Sequence, residues 1–239
     1  FSLDFRENAS PDYSILAVRE IMPMDEGKLF TQFSFFNNEQ NGDERITGNL
    51  GFGLRKLSDD KTWLFGLNNF YDQDISEGHS RTSFGIEARS AVLDFHLNRY
   101  LALGHGLDGE KVLDGWDAQF SSQVPYYHWA NVFLNSYKWE GEDRTDIEGL
   151  KYGSEIILNP NLILEAAYDD KKLKGLEDQW YAKLKFIYPG REGPTALDGK
   201  SSSMWKEEKD MSGQMLTKVK RQNKIMIEFR GSSTVSRTD

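Results

Sequence analysis

The sequence predicts an all-β fold, a twelve-stranded antiparallel transmembrane β-barrel. Several segments alternate between apolar and polar residues, which is the period of a strand with two unlike faces. The connections between these segments alternate between short, often proline-bearing turns and longer polar loops. Transmembrane barrels sort their connections in this way, with short turns at the periplasmic rim and longer loops outside. A soluble sandwich has no reason to sort its loops by end.

The alternation is clearest at residues 45–55, where Ile46, Leu50 and Phe52 share one face and Arg45 and Arg55 lie on the other. At 93–103 the pattern recurs with one exception, Arg99, on the apolar face. Such polar faces are too charged for the core of a sandwich. In a transmembrane barrel, the apolar face contacts lipid outside and the charged face contacts water inside. Twelve strands are predicted, at 1–8, 12–22, 28–37, 44–57, 61–73, 81–90, 92–103, 112–124, 127–139, 146–158, 161–169 and 178–188.

The order of the connections predicts the orientation of the barrel. Short turns are expected at 22–25, 57–60, 90–91, 124–126 and 159–161, and long loops at 37–44, 73–80, 104–111, 140–148 and 169–178. An even number of strands brings both barrel ends to one side. If the short turns are periplasmic, both ends are periplasmic as well. Aromatic residues near strand ends, such as Trp63, Trp129 and Trp139, are interpreted as membrane-interface anchors.

The amino-acid composition limits the classes of function that the protein could have. No apolar run approaches the roughly 20 residues of a membrane-spanning helix. A net charge of −9, without a basic cluster interleaved with aromatics, argues against a nucleic-acid partner. The chain has no cysteine, which accords with passage through the periplasm. It starts inside a strand-like stretch with no signal peptide, so we interpret it as a mature or trimmed fragment.

The pattern changes after residue 188. Residues 189–203 form a Gly/Pro/Ser-rich linker. A short polar helix is possible at 204–222, although Gly213 weakens that prediction. The helical spacing rests on six residues, Met204, Glu208, Met211, Met215, Leu216 and Val219. An extended segment is expected at 223–231.

Five stretches, in collinear order over nearly the whole chain, resemble the inverse autotransporter β-domain, the translocator of the intimin and invasin adhesins. They are LFTQF at 29–33, NLGFGLR at 49–55, NFYDQD at 69–74, Arg81 followed by GIE at 85–87, and VKRQNKIMIEF at 219–229. The resemblance implies an outer-membrane barrel translocator at 1–188 with a periplasmic N-terminus. It also implies a linker at 189–239 that threads the pore towards the cell surface. Members usually continue into immunoglobulin-like passenger domains, so a chain that stops at Asp239 again reads as a fragment.

The function expected from this resemblance is a translocator that secretes and anchors its own C-terminal passenger at the bacterial surface, as in adhesin display. The implied partners are outer-membrane lipid and lipopolysaccharide, the barrel assembly machinery, periplasmic chaperones and the passenger. A small-solute porin, with residues 189–239 as a plug or periplasmic tail, remains an alternative. A barrel enzyme is a third, but no nucleophile elbow is present. We therefore expect no catalytic residues and no cofactor.

The candidate site is the interior of the barrel. Inward charges expected to grip the threaded linker are Arg45, Arg55, Arg81, Glu87, Arg89, Glu155, Glu165, Lys183 and Lys185. The linker residues expected in the pore are Arg221, Asn223, Ile225, Ile227 and Phe229. Expected linker partners are Glu207, Glu208 and Asp210 for the arginines, and Lys218, Lys220 and Arg221 for the acids. The alternative is a solvated wall without a particular partner.

Metal binding is not expected. The carboxylates Asp72, Asp74, Glu77, Asp108 and Glu110 are predicted on outward loops, where oxygen-rich clusters could bind calcium. Their spacing matches no calcium loop, so we interpret them as solvated loop acids. The four histidines are scattered, and no pair has metal-ligand spacing.

Overall fold

The computed structural model describes residues 1–6, 12–40, 43–104, 109–141, 145–172 and 178–229. Twelve antiparallel strands form a closed barrel, which confirms the predicted fold class. The barrel strands are β1 (Ser2–Arg6), β2 (Asp12–Met24), β3 (Gly27–Gln40), β4 (Asp43–Leu57), β5 (Trp63–Asp74), β6 (Ser80–Ser90), β7 (Leu93–Leu103), β9 (Asp114–Val124), β10 (Tyr127–Glu140), β11 (Ile147–Asn159), β12 (Leu162–Lys171) and β13 (Gln179–Phe186). Strand β1 pairs with β13 and closes the barrel.

Two further short strands are not part of the barrel wall. Strand β8 (Glu110–Val112) follows β7, and β14 (Ile227–Phe229) lies near the end of the described chain. The two pair with each other in an antiparallel sheet. This small sheet joins a loop between barrel strands to the C-terminal tail.

The barrel is inside-out compared with a soluble protein. On β6, Phe84 and Ile86 are 54% and 46% exposed, whereas Arg81 and Ser83, on the other face, are buried. Strand β4 repeats this pattern, with Arg45 and Arg55 buried and Phe52 exposed. An apolar outer surface around a charged interior is the arrangement of a barrel surrounded by lipid. No helix in the described part of the chain is long and apolar enough to cross a membrane.

Arg99, the residue that breaks the alternation on β7, does face outward. Its Nη1 atom lies 2.6 Å from Glu140 Oε1 on β10, and its Nη2 atom lies 3.8 Å from Asp114 Oδ2 on β9. The next residue, Tyr100, returns to the interior and is fully buried. The exception is therefore an ion pair on the outer face, and the strand register is not interrupted.

The two rims of the barrel differ as the sequence predicts. One rim, called the short-turn rim below, carries the tight connections β2–β3, β4–β5, β6–β7, β9–β10 and β11–β12. The opposite end, the long-loop rim, carries the other connections, parts of which lie outside the described residues. Ser2 at the start of β1 pairs with Lys185 near the end of β13, so both barrel ends lie at the short-turn rim.

The tail does not form the helix expected at 204–222. Among its described residues, the helical elements are two short 3-10 turns, at Ala196–Asp198 and Ser212–Gln214. Met211, Met215 and Val219 do recur every fourth residue, and all three are buried. They pack into apolar clusters of the barrel wall instead of along one helix face. Because side chains of the wall bind the tail carbonyls, the backbone does not need the hydrogen bonds of a helix.

Candidate functional site in the barrel lumen

The tail first contacts the barrel at the short-turn rim. The Trp129 indole donates to the Gly199 carbonyl at 2.7 Å, and the Tyr126 amide donates to the Met204 carbonyl at 2.9 Å. Further along, the Met211 amide donates to the Lys61 carbonyl in the β4–β5 turn at 2.9 Å. Met211 and Met215 then pack on the inward residues Leu57 and Leu64.

Arg55 on β4 makes the next contact with the tail. Its Nη1 atom donates to the carbonyls of Met215, at 2.9 Å, and Thr217, at 2.6 Å. Its Nε atom donates to Glu87 Oε1 at 2.6 Å, and its guanidinium carbon lies 4.5 Å from the centre of the Phe30 ring. Both charged side chains are almost completely buried. The Arg55–Glu87 pair therefore holds the tail through its backbone.

The following contacts combine side chains with backbone. Arg89 Nη1 donates to Thr217 Oγ1 at 2.6 Å, and the Val219 amide donates to Gln32 Oε1 at 2.8 Å. Lys220 Nζ lies 3.1 Å from Asp94 Oδ2. Tail residues 217–220 are thus bound by strands β3, β6 and β7.

Two arginines meet one carboxylate near the middle of the tail. Arg221 donates to both oxygens of Asp72, at 2.9 and 2.6 Å, and Arg81 donates to Asp72 Oδ2 from Nε at 2.9 Å and from Nη2 at 2.8 Å. Arg81 also donates to the carbonyls of Gln222, at 2.8 Å, and Lys224, at 3.0 Å. All three charged side chains are fully buried. Here the wall recognises one tail side chain and the adjoining backbone together.

Polar wall residues bind the remaining backbone groups of this stretch. Asn98 Nδ2 donates to the Lys220 carbonyl at 3.1 Å, and Asn49 Nδ2 donates to the Asn223 carbonyl at 3.2 Å. The Gln222 amide donates to the Tyr100 hydroxyl at 2.7 Å. Because that hydroxyl donates in turn to Asp117 at 2.5 Å, the tail is connected to a second buried carboxylate.

Apolar packing takes over at the long-loop rim. Met226 is fully buried in a cluster with Tyr100, Leu113, Tyr137, Trp139 and Ile147. Trp139, interpreted from the sequence as a membrane anchor, faces the lumen instead. It fits there because its register partner, Gly115, has no side chain: a Cβ at that position would lie 2.3 Å from the indole.

The described part of the tail ends in a pairing between two strands. Ile227 is opposite Val112, and Phe229 is opposite Glu110, in the β8–β14 sheet. Ile225, Ile227 and Val112 are buried together. The β7–β9 loop therefore supplies an edge to which the tail adds a strand, as peptides do in β-augmentation.

Glu110 anchors that loop to the wall. Its carboxylate accepts from Arg45 Nη1 and Nη2 at 2.8 and 2.6 Å and contacts His79 Nε2 at 2.7 Å. Burial raises the pKa of the Glu110 carboxyl, but the hydrogen bonds with Arg45 and His79 and the Arg45 charge outweigh it, so the net pKa is lowered. Arg45 also lies 3.4 Å from Asp74 Oδ2. Arg45 thus binds the loop that pairs with the tail.

The other predicted lumen charges form a network on the opposite wall. Lys185 Nζ lies 2.7 Å from Glu155 Oε2 and also contacts Glu165, while Lys183 lies 2.8 Å from Asp4 Oδ2. These side chains belong to strands β1, β11, β12 and β13. Their expected contact with the linker remains a prediction.

Three of the carboxylates predicted as solvated loop acids instead pair with buried arginines: Asp72, Asp74 and Glu110. Asp72, expected on an outward loop, is the buried counter-charge of Arg221. The available signal was the alternation of β5, in which Asn68, Phe70 and Asp72 share the inward face. Asp94 likewise takes the place of the glutamates expected for Lys220.

The three acidic tail residues expected to meet the lumen arginines are exposed. Glu207, Glu208 and Asp210 lie at the surface of the described structure, and the lumen arginines bind tail carbonyls in their place. Within the part of the chain that the structure describes, no group of three or more His, Asp or Glu side chains is placed to hold a metal ion.

A closed barrel with an apolar outer face and a charged interior defines the class of transmembrane β-barrels. The family profile "Inverse autotransporter, beta-domain" matches residues 2–223, and the chain belongs to that family. Family membership implies an outer-membrane location. It supports a translocator that displays a passenger, points to a non-enzymatic role and gives less support to a porin.

Curated relatives agree with this assignment. The inverse autotransporter adhesin YeeJ of Escherichia coli (strain K12) is 26% identical over 212 residues, which cover 82% of this chain and 9% of that protein. A putative attaching and effacing protein homolog of the same strain is 27% identical over 122 residues, covering 48% of this chain and 40% of that protein. Invasin of Yersinia enterocolitica is 34% identical over 64 residues, or 27% of this chain and 7% of invasin. The chain thus spans less than half the length of these relatives.

Solved structures share the fold. A membrane protein studied for the mechanism of in-meso crystallization superposes with a TM-score of 0.75 at 19% identity, covering 96% of this chain and 98% of that chain. The KdgM porin superposes with a TM-score of 0.51 at 7% identity, covering 79% of this chain and 99% of that chain. At these identities the likeness concerns the barrel fold alone.

Proposed function

We propose that the chain is the outer-membrane translocator of its own C-terminal passenger, and that residues 189–239 cross the pore and carry the passenger to the cell surface. The observation that carries this proposal is the unbroken series of wall contacts to the tail. They begin with Met211 beside the β4–β5 turn and end with β14 beside the β7–β9 loop. Consecutive stretches of the tail thus meet consecutive positions between the two rims.

The length of the tail fits this path. From Met215 to Phe229 an extended chain spans up to about 46 Å. The apolar band of a transmembrane barrel is about 25 Å tall. Backbone without regular hydrogen bonds is tolerated at membrane depth when it is buried in protein or lines a cavity. The tail carbonyls accept hydrogen bonds from wall side chains, namely Arg55, Arg81, Asn49 and Asn98.

The proposed orientation follows from the rims. Short turns face the periplasm and long loops face outward in outer-membrane barrels. Under that rule both barrel ends are periplasmic, and the tail returns through the pore with its C-terminal end towards the surface. The passenger, by analogy with the relatives named adhesin and invasin, serves adhesion.

The proposed partners follow from this location. Outer-membrane lipid and lipopolysaccharide surround the apolar face, and the barrel assembly machinery and periplasmic chaperones act during biogenesis. The passenger is the cargo. No catalytic residue, cofactor or nucleic acid takes part in this function.

Surface accessibility of the tail tests the proposal. An epitope tag placed after Asp239 is expected to bind antibody on intact cells and to be removed by external protease. The matched control carries the same tag before Phe1, where it is expected to react only after the outer membrane is permeabilised. Protection of the C-terminal tag on intact cells contradicts the proposal.

Pore conductance separates the translocator from the porin. Deletion of residues 189–239 is expected to open a previously blocked pore in planar lipid bilayers. A porin is instead expected to conduct steadily with the tail present and to change little after its deletion. An unchanged, large conductance therefore favours the porin.

A further inference from the structure

The contact between Arg221 and the barrel wall has the form of a ligand in a binding pocket. The pocket is formed by Phe70 and Asp72 of β5, Ser83 of β6 and Tyr100 of β7, and is called the guanidinium pocket below. Arg221 Nη1 donates to Asp72 Oδ1 at 2.9 Å, and Nη2 donates to Asp72 Oδ2 at 2.6 Å and to Ser83 Oγ at 3.0 Å. Every wall side chain in the pocket is buried.

The chemistry of the pocket selects a planar cation. The two parallel hydrogen bonds to Asp72 require a fork of two N–H groups, which a guanidinium has and an ammonium lacks. The guanidinium carbon of Arg221 also lies 4.2 Å from the centre of the Phe70 ring and 5.7 Å from that of Tyr100. Aromatic faces attract cations at these distances, and a flat guanidinium can stack on them.

Residues of the barrel wall orient the Asp72 carboxylate of the pocket. Arg81 donates twice to Asp72 Oδ2, and Asn49 Nδ2 donates to Asp72 Oδ1 at 2.7 Å. Asn49 is fixed in turn by Ser34, whose hydroxyl donates to Asn49 Oδ1 at 2.8 Å. The orientation of the carboxylate is therefore set by three barrel residues, and the pocket is preorganised for its occupant.

Charge balance also favours an occupant. Arg81 and Arg221 both lie over the Tyr100 ring, and the Tyr100 hydroxyl donates to Asp117. These two cations face the carboxylates Asp72 and Asp117. Without Arg221, the Asp72 carboxylate keeps Arg81 as its charged partner, but this buried group loses one positive charge, which is costly in a protein interior.

We propose that the guanidinium pocket is a binding site of the barrel wall for guanidinium cations. Arg221 occupies it in the resting protein, and an alkylguanidinium, or the arginine of another segment in the pore, occupies it when Arg221 is absent. The inference deepens the proposed function, because it assigns to one wall site the recognition of an arginine in the exported chain.

Chemical rescue tests the pocket. The full chain with Arg221→Ala is reconstituted in planar bilayers, and its current and thermal unfolding are measured with ethylguanidinium or ethylammonium at equal ionic strength. The variant is expected to conduct more often than the wild type. Millimolar ethylguanidinium is expected to reduce these openings saturably and to raise the unfolding temperature, whereas ethylammonium does neither. Equal effects of the two cations, or no effect of either on both readouts, overturn the proposal.

Further variants locate the rescue in this pocket. Arg221→Ala combined with Ser83→Ala keeps the Asp72 carboxylate and is expected to weaken ethylguanidinium binding about tenfold, the equivalent of one hydrogen bond with a charged partner. Arg221→Ala combined with Asp72→Asn is expected to abolish rescue. The matched control is Lys220→Ala, which removes a neighbouring tail cation but leaves Arg221 in the pocket, and it is expected to show no response to ethylguanidinium. Rescue that persists with Asp72→Asn, or a response of Lys220→Ala, contradicts the assignment.

The proposed function and the pocket can fail separately. Surface display is scored with the tag after Asp239 on intact cells, whereas rescue is scored on purified barrel. A protein that displays its tail but shows no rescue refutes the pocket alone. One that shows rescue but keeps its tail inside refutes the translocator alone.

Discussion

Arg55 on β4 and Glu87 on β6 are joined by a 2.6 Å hydrogen bond that passes over the intervening strand β5. The residue between them in the register is Gly66, opposite both Arg55 and Glu87. A Cβ at Gly66 would lie 2.4 Å from Glu87 Oε1, so the absence of a side chain makes this contact possible. The pair in turn directs Arg55 Nη1 to the tail carbonyls of Met215 and Thr217.

Removal of this arginine is expected to destabilise the barrel. Arg55→Ala leaves the Glu87 carboxylate buried without its main partner and frees two tail carbonyls. The expected loss in the free energy of unfolding is about 2–4 kcal/mol. Urea unfolding in lipid vesicles, followed by tryptophan fluorescence, measures it. The double variant Arg55→Ala/Glu87→Ala is expected to recover part of the loss, because no unpaired charge remains; additive losses would show that the pair is not coupled.

A glycine on β4 is expected to be intolerant of any side chain. A Cβ at Gly51 would lie 2.3 Å from the Phe70 ring, on which Arg221 rests. Gly51→Ala is therefore expected to displace that ring and to destabilise the barrel by about 1–3 kcal/mol. Gly213→Ala is the control, since nothing lies within 4 Å of the added Cβ. Equal stabilities of the two variants in the same urea titration would contradict the close packing at Gly51.

The pairing of β8 with β14 can be trapped covalently. Since the chain has no cysteine, Val112→Cys with Ile227→Cys introduces only one thiol pair. The two residues are directly opposite in the antiparallel register, at a spacing that a disulfide can bridge. We expect a disulfide to form during export and to change the gel mobility of the heated, non-reduced protein. Val112→Cys with Phe229→Cys is two residues out of register and is expected to remain mostly reduced.

The Glu110 contact predicts a dependence on acid. Because folding lowers the pKa of this carboxyl, its contribution is present above the unfolded value of about 4.3 and is lost as the pH falls through the lower folded value. Glu110→Gln is expected to cost about 1 kcal/mol at pH 7, and its difference from the wild type is expected to shrink as the pH falls through the folded value. Urea unfolding between pH 3 and 7 measures the difference. A difference that does not change with pH would show that the charge of Glu110 contributes nothing.

Period-two alternation predicts the barrel well because lipid on one face and water on the other enforce it along much of the wall, most clearly on β5 and β6. All twelve predicted strands are present, and the inward positions of Arg45, Arg55, Arg81, Glu87 and Arg89 follow from the same pattern. Arg99 is an exception to the pattern, and it is explained locally by its ion pair with Glu140. The sequence alone therefore predicts which residues of a strand face the interior of the barrel.

Contacts inside the lumen are harder to predict, because they depend on two chain segments far apart in sequence. Arg221 and Asp72 are 149 positions apart in the sequence, and no local sequence pattern predicts the hydrogen bond between them. The spacing of Met211, Met215 and Val219 predicts a helix that does not form, for a related reason. Met211 and Met215 pack in one cluster of the wall and Val219 packs in another, so a period of four arises without a helix.

The wall binds one stretch of the tail largely by its carbonyls, at Met215, Thr217, Lys220, Gln222, Asn223 and Lys224. A carbonyl is common to every residue, so a chain that advances by one position offers the same acceptor again. Sequence changes in this stretch are accordingly expected to have little effect on how easily a polypeptide slides past the wall. Arg221 is different in kind, because its guanidinium occupies a pocket of the wall that matches an arginine side chain and not a carbonyl.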